Sequence, residues 1–305
     1  MTWKKRGRIF NLEGQVKWAS HSFMTPTPWQ LNDDTIRIFG GMRDDKGISR
    51  IGYIDVDTYN PKIVKKISKT PILDIGISGA FDDNGLILGD VIAANDNQIY
   101  MYYVGFQLVE KVKFLAFTGL AISNDKGYSF SRYSDAPILD RSHNGLYIRA
   151  IHTVIKENSK WRFWCGEGRR WHYINGIAYP SYEIWYTESD DGINFNKTEQ
   201  LVLTYRDGEY RIGRPRVYKA SDGYDMYFTC DTLNKQYFSG YAHSIDGLTW
   251  ERDDSKFLLQ RSESGWDCEM LCYPSLHVTP HGNKYIFYSG NGMGYSGIGY
   301  AEWEN

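Results

Sequence analysis

The chain has 305 residues and a formal net charge of −2 at pH 7, so its overall charge would attract neither nucleic acid nor an anionic membrane. Apolar residues make up 42% and charged residues 24%, which is typical of a folded globular chain. The basic N-terminal sequence MTWKKRGRIF contains no apolar signal region, and no run of about 18 apolar residues occurs. We therefore expect a cytoplasmic protein without a membrane span.

The aromatic content is high, with 10 Trp and 24 Tyr residues. Aromatic residues favour β-strands, and flat rings also stack on the C–H faces of sugars in binding clefts. The four cysteines, Cys165, Cys230, Cys268 and Cys272, form no C-x-x-C pair, and no histidine spacing near them indicates a zinc site. We expect buried, reduced thiols, no metal site and no cofactor.

Five segments of the chain share one pattern, in which a short apolar run, a polar turn and a run of alternating aromatic residues follow one another. They begin at Pro26, Asp90, His152, Pro215 and Pro274, at spacings of 64, 62, 63 and 59 residues. In each segment a turn such as NDD or SDG joins two strand-like runs, which predicts a β-hairpin. A third strand-like run follows each hairpin, and three of these lead into similar turns, SNDKGYSF, SDDGINF and SIDGLTW.

About four antiparallel strands in each of five repeats, with almost no helical pattern, predict an all-β fold and a five-bladed β-propeller. We expect one domain over residues 1–305, with the inner strands starting near the five residues named above. Residues 1–25 and the C-terminal sequence YAEWEN are expected to close the ring. A β-sandwich is the alternative, but five repeats in phase argue against it.

The blade sequences also resemble a known superfamily. The stretches RDDKGISRIGY (43–53), IYMYYVGF (99–106), SDDGINF (189–195) and SESGWDCEMLCYP (262–274) carry the likeness. The chain resembles the five-bladed propellers of the arabinanase, levansucrase and invertase superfamily, which includes glycoside hydrolase families 43, 32, 68 and 130. It is most similar to uncharacterised propellers of bacterial surface-polysaccharide gene clusters. The resemblance implies a carbohydrate-active, glycoside hydrolase-like enzyme.

The resemblance also implies three acidic residues that this chain lacks. The similar hydrolases place an Asp at the head of blade one, an Asp at the head of blade three and a Glu at the head of blade four. Here Thr25–Pro26, Ile151–His152 and Arg214–Pro215 occupy those places. The usual catalytic triad therefore cannot be transferred to this sequence.

Other carboxylates remain as catalytic candidates, because glycosyl transfer needs a proton donor and a second carboxylate. Asp90 heads the second repeat, Glu269 precedes the fifth, Glu167 lies between two glycines, and Asp44 follows the first hairpin. His152 is expected to assist proton transfer near neutral pH. Two alternatives stay open: Asp44 could cap a turn, and Asp90 could form a buried pair with an arginine.

In a propeller the innermost strand of each blade lines a central channel. Six arginines fall at or near these predicted channel positions: Arg43, Arg149, Arg169, Arg170, Arg214 and Arg216. Arginine binds phosphate and carboxylate groups through two parallel hydrogen bonds, so such a group indicates an anionic ligand. Arg43, Arg149, Arg214 and Arg216 are the predicted substrate-binding arginines, although each could instead pair with a channel carboxylate.

The predicted sugar-binding aromatics are Trp171 and Tyr173 in a long loop, together with Trp266 and Tyr273 in the last repeat.

Three functions stay open. The first is an enzyme that cleaves or transfers a glycosyl group on an anionic or activated sugar. The second is a cytoplasmic glycosyltransferase or phosphorylase of surface-polysaccharide biosynthesis, with a nucleotide sugar or sugar phosphate as ligand. The third is a sugar-binding propeller without catalysis.

Overall fold

The computed structural model describes residues 2–196 and 198–304, and strands account for most of them. The all-β prediction is confirmed. Within these residues the helical segments are one 3-10 turn, Asp254–Lys256, and one short turn, Asn291–Gly294. No helix among them is long and apolar enough to cross a membrane. Cys165, Cys230 and Cys272 are buried as free thiols, and Cys268 is partly buried.

The strands form five groups of four, here numbered one to five. The chain begins with β1 (Thr2–Phe10). Group one contains β2 (His21–Asn32), β3 (Thr35–Arg43), β4 (Ser49–Asp57) and β5 (Val64–Ile67). Group two contains β6 (Leu86–Asn95), β7 (Gln98–Gln107), β8 (Leu115–Ser123) and β9 (Ser131–Arg132). Group three contains β10 (Ile148–Glu157), β11 (Lys160–Ile174), β12 (Ile177–Ser189) and β13 (Gln200–Leu203). Group four contains β14 (Glu209–Ala220), β15 (Gly223–Thr232), β16 (Tyr237–Ser244) and β17 (Glu251–Arg252). Group five contains β18 (Cys272–Val278), β19 (Lys284–Ser289), β20 (Ile298–Glu304) and the N-terminal β1.

The first strands of the five groups form a closed ring. Strand β2 contacts β6, β6 contacts β10, β10 contacts β14, β14 contacts β18, and β18 contacts β2. Neighbouring strands within each group pair antiparallel, and groups two and three are also joined by a short parallel pairing of β8 with β10. Each first strand begins two to six residues before the start expected from the repeats, for example at His21 rather than Pro26.

The N-terminal strand completes group five by pairing antiparallel with β20. The Lys5 ammonium lies 2.5 Å from the Asp267 carboxylate, which is buried and also accepts a hydrogen bond from Tyr288. The contact between Asp267 and Lys5 therefore helps to hold the N-terminal strand β1 against group five.

The repeated Asp and Gly turns have a common packing role. In each turn the Asp side chain accepts backbone N–H groups of residues that follow it, as Asp191 does from Ile193 and Asn194. The carbonyl of the turn glycine then accepts a hydrogen bond from the second strand of the preceding group. These pairs are Arg37 with Gly127, Tyr102 with Gly192, and Trp164 with Gly247. The turn therefore joins neighbouring groups, which explains why it repeats.

Candidate functional site

The first strand of every group carries a β-bulge at the equivalent position of its repeat. The pairing with the second strand shifts at Thr25–Pro26, Gly89, His152, Arg214–Pro215 and Tyr273–Pro274. A bulge turns a side chain out of the regular alternation of the strand. Thr25, Arg214 and Tyr273 reach the required left-handed conformation, with φ of 54°, 54° and 58°, each immediately before a proline.

The bulge of group two needs glycine for a different reason. A Cβ atom on Gly89 would lie 2.3 Å from the Ile151 carbonyl oxygen and 2.7 Å from that of Tyr102, so backbone would have to move. The other bulge residues, Thr25, His152, Arg214 and Tyr273, line one cavity of about 330 Å³. We call these four residues the bulge ring. The cavity is within the size range of small-molecule sites, about 300–1,000 Å³.

The whole cavity lining consists mainly of apolar residues, tyrosines and basic residues. Its apolar residues include Ile87, Val104, Phe106, Phe114, Ala116 and Ile148. Its tyrosines are Tyr179, Tyr182, Tyr237 and Tyr273. Its basic residues are Arg43, Lys113, His152, Arg211 and Arg214. No aspartate or glutamate of the described chain belongs to the lining, so the cavity favours a ligand with an anionic group.

Arg214 is the most unusual of these cations. Among the described residues, Arg37, Arg149, Arg211 and Arg216 are also buried, and each forms an ion pair with a carboxylate. Arg214 forms none. Its guanidinium donates to the carbonyl oxygens of Leu88 and Thr25 and to Thr27 Oγ1.

The missing counter-ion has an energetic consequence. Burial, together with the neighbouring Arg216, lowers the pKa of Arg214 to about 9. The Arg214 Nε atom is also buried without a hydrogen-bond partner in the described chain. A buried cation is unfavourable unless an anion pairs with it. An anionic ligand in the cavity would supply the missing charge.

His152 presents a neutral N–H group to the same cavity. Its Nδ1 lies 3.1 Å from the Arg214 guanidinium, which can only donate, so Nδ1 must accept and the proton belongs on Nε2. Burial and the charges of Arg214 and Arg216 hold the pKa of His152 well below its usual range. The sequence indicated proton transfer, but this environment makes His152 a neutral hydrogen-bond donor near pH 7.

Asp90 lies directly after the bulge residue Gly89 and does not line the cavity. Its carboxylate binds the Arg216 guanidinium at 2.7 Å and accepts the backbone N–H of Val154 at 2.9 Å. Arg216 also donates to the His152 carbonyl oxygen. Of the two alternatives that the sequence leaves open for Asp90, the buried pair with an arginine matches this geometry.

Glu167 and Arg149 face each other on β11 and β10, behind the cavity wall. Arg149 Nε donates to Glu167 at 3.1 Å, and another nitrogen of the same guanidinium binds Glu199 at 2.7 Å. Burial raises the pKa of Glu167 to about 7, although Arg149 lowers it; Glu199 raises it further. Oε2 of Glu167 has no hydrogen-bond partner among the described residues. The cavity is lined instead by the adjacent Gly166.

The other two predicted carboxylates also lie outside the cavity lining. Asp44 accepts the backbone N–H groups of Lys46 and Ile48 and binds Arg50 at 2.8 Å, which is the turn-capping geometry. Glu269 is exposed in the segment before β18. The four predicted carboxylates, Asp90, Glu167, Asp44 and Glu269, are therefore all outside the lining of this cavity.

The predicted arginines and aromatics divide between the cavity and other surroundings. Arg43, Arg214 and Tyr273 line the cavity. Trp171 and Tyr173 line a second, adjoining cavity. Trp266 stacks on Tyr288 with ring centroids 5.1 Å apart, inside group five. Of the remaining arginines, Arg149 and Arg216 are ion-paired, and Arg169 and Arg170 are exposed.

The structure adds two cations that the sequence reasoning missed. Arg211 lines the cavity, and its guanidinium binds Asp231 at 2.7 Å, where Lys235 also binds at 2.6 Å. Strand alternation could have identified Arg211, because it lies two residues before Gly213, which also lines the cavity. Lys113 comes from the loop before β8 and had no repeat signal.

Comparison with known proteins identifies the family. No family model matches the chain. The uncharacterized protein Rv1502 of Mycobacterium tuberculosis is 30% identical over 306 residues, which span 100% of both chains. The chain belongs to the family of that mycobacterial protein. Family membership supplies no activity, because the relative is itself uncharacterized.

Two solved structures that share the fold are named as carbohydrate enzymes. A structure named "Glycoside hydrolase" aligns with a TM-score of 0.74 and 16% identity, covering 99% of this chain and 93% of that one. The β-1,2-mannobiose phosphorylase of Listeria innocua, in complex with β-1,2-mannobiose, aligns with a TM-score of 0.68 and 10% identity, covering 100% and 97%. The fold is therefore the propeller fold of glycoside hydrolases and phosphorylases, as the sequence resemblance implied.

Proposed function

We propose that the protein is a carbohydrate-active enzyme that cleaves or transfers a glycosyl group of a phosphate-activated sugar. The observation that carries the proposal is the unpaired, buried Arg214 in a cavity whose described lining has three further cations, Arg43, Lys113 and Arg211, and no carboxylate. We further propose that the five strand groups are the five blades of one propeller domain, and that the bulge ring is the base of its substrate site.

The cationic lining suits a phosphate leaving group. Cleavage of the bond between the anomeric carbon and the phosphate oxygen leaves the electron pair on phosphate, which is stable as an anion. An acceptor hydroxyl or water attacks the anomeric carbon and releases its proton to solvent. Such a leaving group needs no carboxylic acid to protonate it, whereas a sugar or alcohol leaving group does. Arg214 would neutralise the phosphate charge, and His152 Nε2–H would donate a hydrogen bond.

Two further observations support phosphate chemistry. The structural neighbour from Listeria innocua is a phosphorylase by name, and phosphorylases move glycosyl groups to and from phosphate on this same fold. Arginine is also the side chain best suited to phosphate recognition. We retain a cytoplasmic location within the proposal.

Anionic sugar binding without turnover is the second candidate. The specific observation in its favour is that Asp90, Glu167, Asp44 and Glu269 all lie outside the cavity lining. The cavity would then hold a sugar phosphate or an acidic sugar through Arg214, without a residue to deprotonate the acceptor.

A paired binding and turnover assay tests both candidates. Melting temperature is measured with the 1-phosphates of glucose, galactose and mannose, with inorganic phosphate and with the neutral sugars, since a ligand of the folded state raises it. Phosphate release from the stabilising sugar is then measured in the presence of sugar acceptors. Arg214→Gln should abolish the stabilisation, and the exposed Arg206→Gln is the matched control.

Stabilisation with turnover supports the enzyme, and stabilisation without turnover supports the binding function. Stabilisation by neutral sugars alone, unchanged in Arg214→Gln, would overturn both, because the cationic lining would then have no part in binding.

A further inference from the structure

A second cavity adjoins the one lined by the bulge ring. It has a volume of about 350 Å³ and is lined by the loop 109–113 and by Trp171, Tyr173 and Ala178 of the β11–β12 hairpin. Lys113 and Ala178 belong to both linings. The two cavities are therefore neighbouring compartments on either side of Lys113 and Ala178, with the bulge ring in only one of them.

The β11–β12 hairpin presents two different faces. Side chains two residues apart on a strand lie on the same face, so Trp171 and Tyr173 share one face with Ala178, the pairing partner of Tyr173. On the opposite face, His172 and Tyr179 each pack against Tyr210 with ring centroids 6.0 Å apart. Because the second face is fixed against group four, the first face is held in place toward the loop 109–113.

The two aromatics of the first face differ in how they are held. The Trp171 ring packs edge-on against Phe114 at 5.2 Å and lies 6.3 Å from Tyr147, so its orientation is fixed. Tyr173 is 76% exposed and forms no aromatic contact among the described residues. Trp171 Nε1 is buried and has no hydrogen-bond partner among the described residues. An exposed ring beside a fixed one, next to a ligand cavity, is a surface suited to the apolar face of a sugar.

We infer that this second cavity binds the second sugar unit of the substrate, so that the substrate class is an oligosaccharyl phosphate rather than a hexose phosphate. The inference rests on the proposed function. In this arrangement the phosphate binds Arg214, the first sugar fills the cavity above the bulge ring, and the second sugar stacks on Tyr173 beside Trp171.

Lys113 strengthens the assignment because of its position. It is exposed, lines both cavities, and forms no ion pair within the described chain. Its ammonium can donate to ring and hydroxyl oxygens at the linkage between the two sugars. The chain thus provides a polar contact for the linkage and an aromatic contact for the outer unit.

The test compares two ligands that differ by one sugar. Binding of glucose 1-phosphate and maltose 1-phosphate, and of mannose 1-phosphate and mannobiose 1-phosphate, is measured by isothermal titration calorimetry on the full chain. The disaccharide phosphate of at least one pair should bind about tenfold or more tightly than its monosaccharide, which corresponds to about 1.4 kcal/mol of added binding free energy from the second subsite. Tyr173→Ala should remove that difference and leave monosaccharide binding unchanged.

The control is Tyr133→Ala, which removes another exposed tyrosine, 51% exposed, outside both cavity linings. Neither variant removes a buried side chain, so both should fold. Equal affinities within both ligand pairs, or a disaccharide preference that survives Tyr173→Ala, would overturn the second subsite while leaving the proposed function intact. Failure of all four phosphates to bind, or phosphate binding that is unchanged in Arg214→Gln, would overturn the proposed function itself.

Discussion

Arg214 and Arg216 are separated by one proline and have opposite surroundings. Arg216 is buried against Asp90, and the two make a 2.7 Å ion pair that joins groups two and four. Arg214 is as deeply buried but contacts carbonyl oxygens, a hydroxyl and a histidine nitrogen, and it faces the cavity. Arg216 therefore joins two strand groups through its ion pair, whereas Arg214, two residues before it, has no counter-ion among the described residues.

The difference follows from the bulge. Left-handed φ at Arg214 interrupts the alternation of β14, so Arg214 turns into the cavity while Arg216 returns to the regular pattern. A buried arginine with a carboxylate partner is explained by structure alone. A buried arginine without one is what the proposed anionic ligand would explain, and the predictions below separate these two cases.

The largest expected effect is on stability, from Arg216→Met. Loss of the guanidinium leaves the Asp90 carboxylate buried and without its cation, which should cost about 3–5 kcal/mol of unfolding free energy. Urea denaturation measures this loss. The double variant Asp90→Asn with Arg216→Met should recover part of it, because no uncompensated charge then remains. Equal stability of the single and double variants would contradict the ion-pair account.

The next effect is on binding, from Arg214→Met. This change removes a charge that has no counter-ion, so the unfolding free energy should fall by much less than in Arg216→Met. Binding of the stabilising sugar phosphate should weaken by about 30-fold or more, since truncating a buried charge contact costs about 2–5 kcal/mol. Calorimetric titration gives the affinity and urea denaturation the stability. A stability loss equal to that of Arg216→Met would place Arg214 among the structural arginines.

The pH dependence of stability provides a third prediction, centred on Glu167. Its pKa is raised from 4.5 to about 7 in the folded protein, so the folded state binds a proton that the unfolded state releases. Glu167 therefore stabilises the protein fully below pH 4.5, and this contribution is lost as pH rises through about 7. Between these values the unfolding free energy of the wild type should fall relative to Glu167→Gln, by at most about 1.4 kcal/mol per pH unit. Parallel profiles for the two proteins would show that Glu167 titrates normally.

A smaller effect is expected from Gly166→Ala. The added methyl group would lie 3.5 Å from His152 Nε2, which is an ordinary contact, so the fold should be unchanged. The methyl group occupies the cavity beside the Nε2–H donor, and affinity for the sugar phosphate should fall by about tenfold if the ligand uses that donor. Calorimetric titration measures the change. An unaltered affinity would move the ligand away from His152.

Sequence patterns predicted the all-β fold and the part of the inner strands where the candidate cavity lies, but only some of the side chains that line it. The five-fold spacing located Thr25, His152, Arg214 and Tyr273, and a proline follows three of them, Thr25, Arg214 and Tyr273. The spacing also grouped Asp90 with these residues, although one residue of displacement along a strand moves a side chain to the other face.

The same reason separates Glu167 from Gly166, since only the glycine lines the cavity. Glu269 lies in an irregular segment, where neither period nor spacing fixes a direction. Contacts such as that of Lys113, which comes from a loop of a different repeat, depend on how the groups pack and leave no local signal in the sequence.

The most direct test of the anion site is a crystal structure with the hexose 1-phosphate that gives the largest rise in melting temperature. We predict that its phosphate oxygens lie within hydrogen-bond distance of the Arg214 guanidinium, with the sugar ring against the apolar wall of Ile148 and Phe114. A phosphate bound elsewhere, with the Arg214 guanidinium still bound only to groups of the protein, would contradict the account.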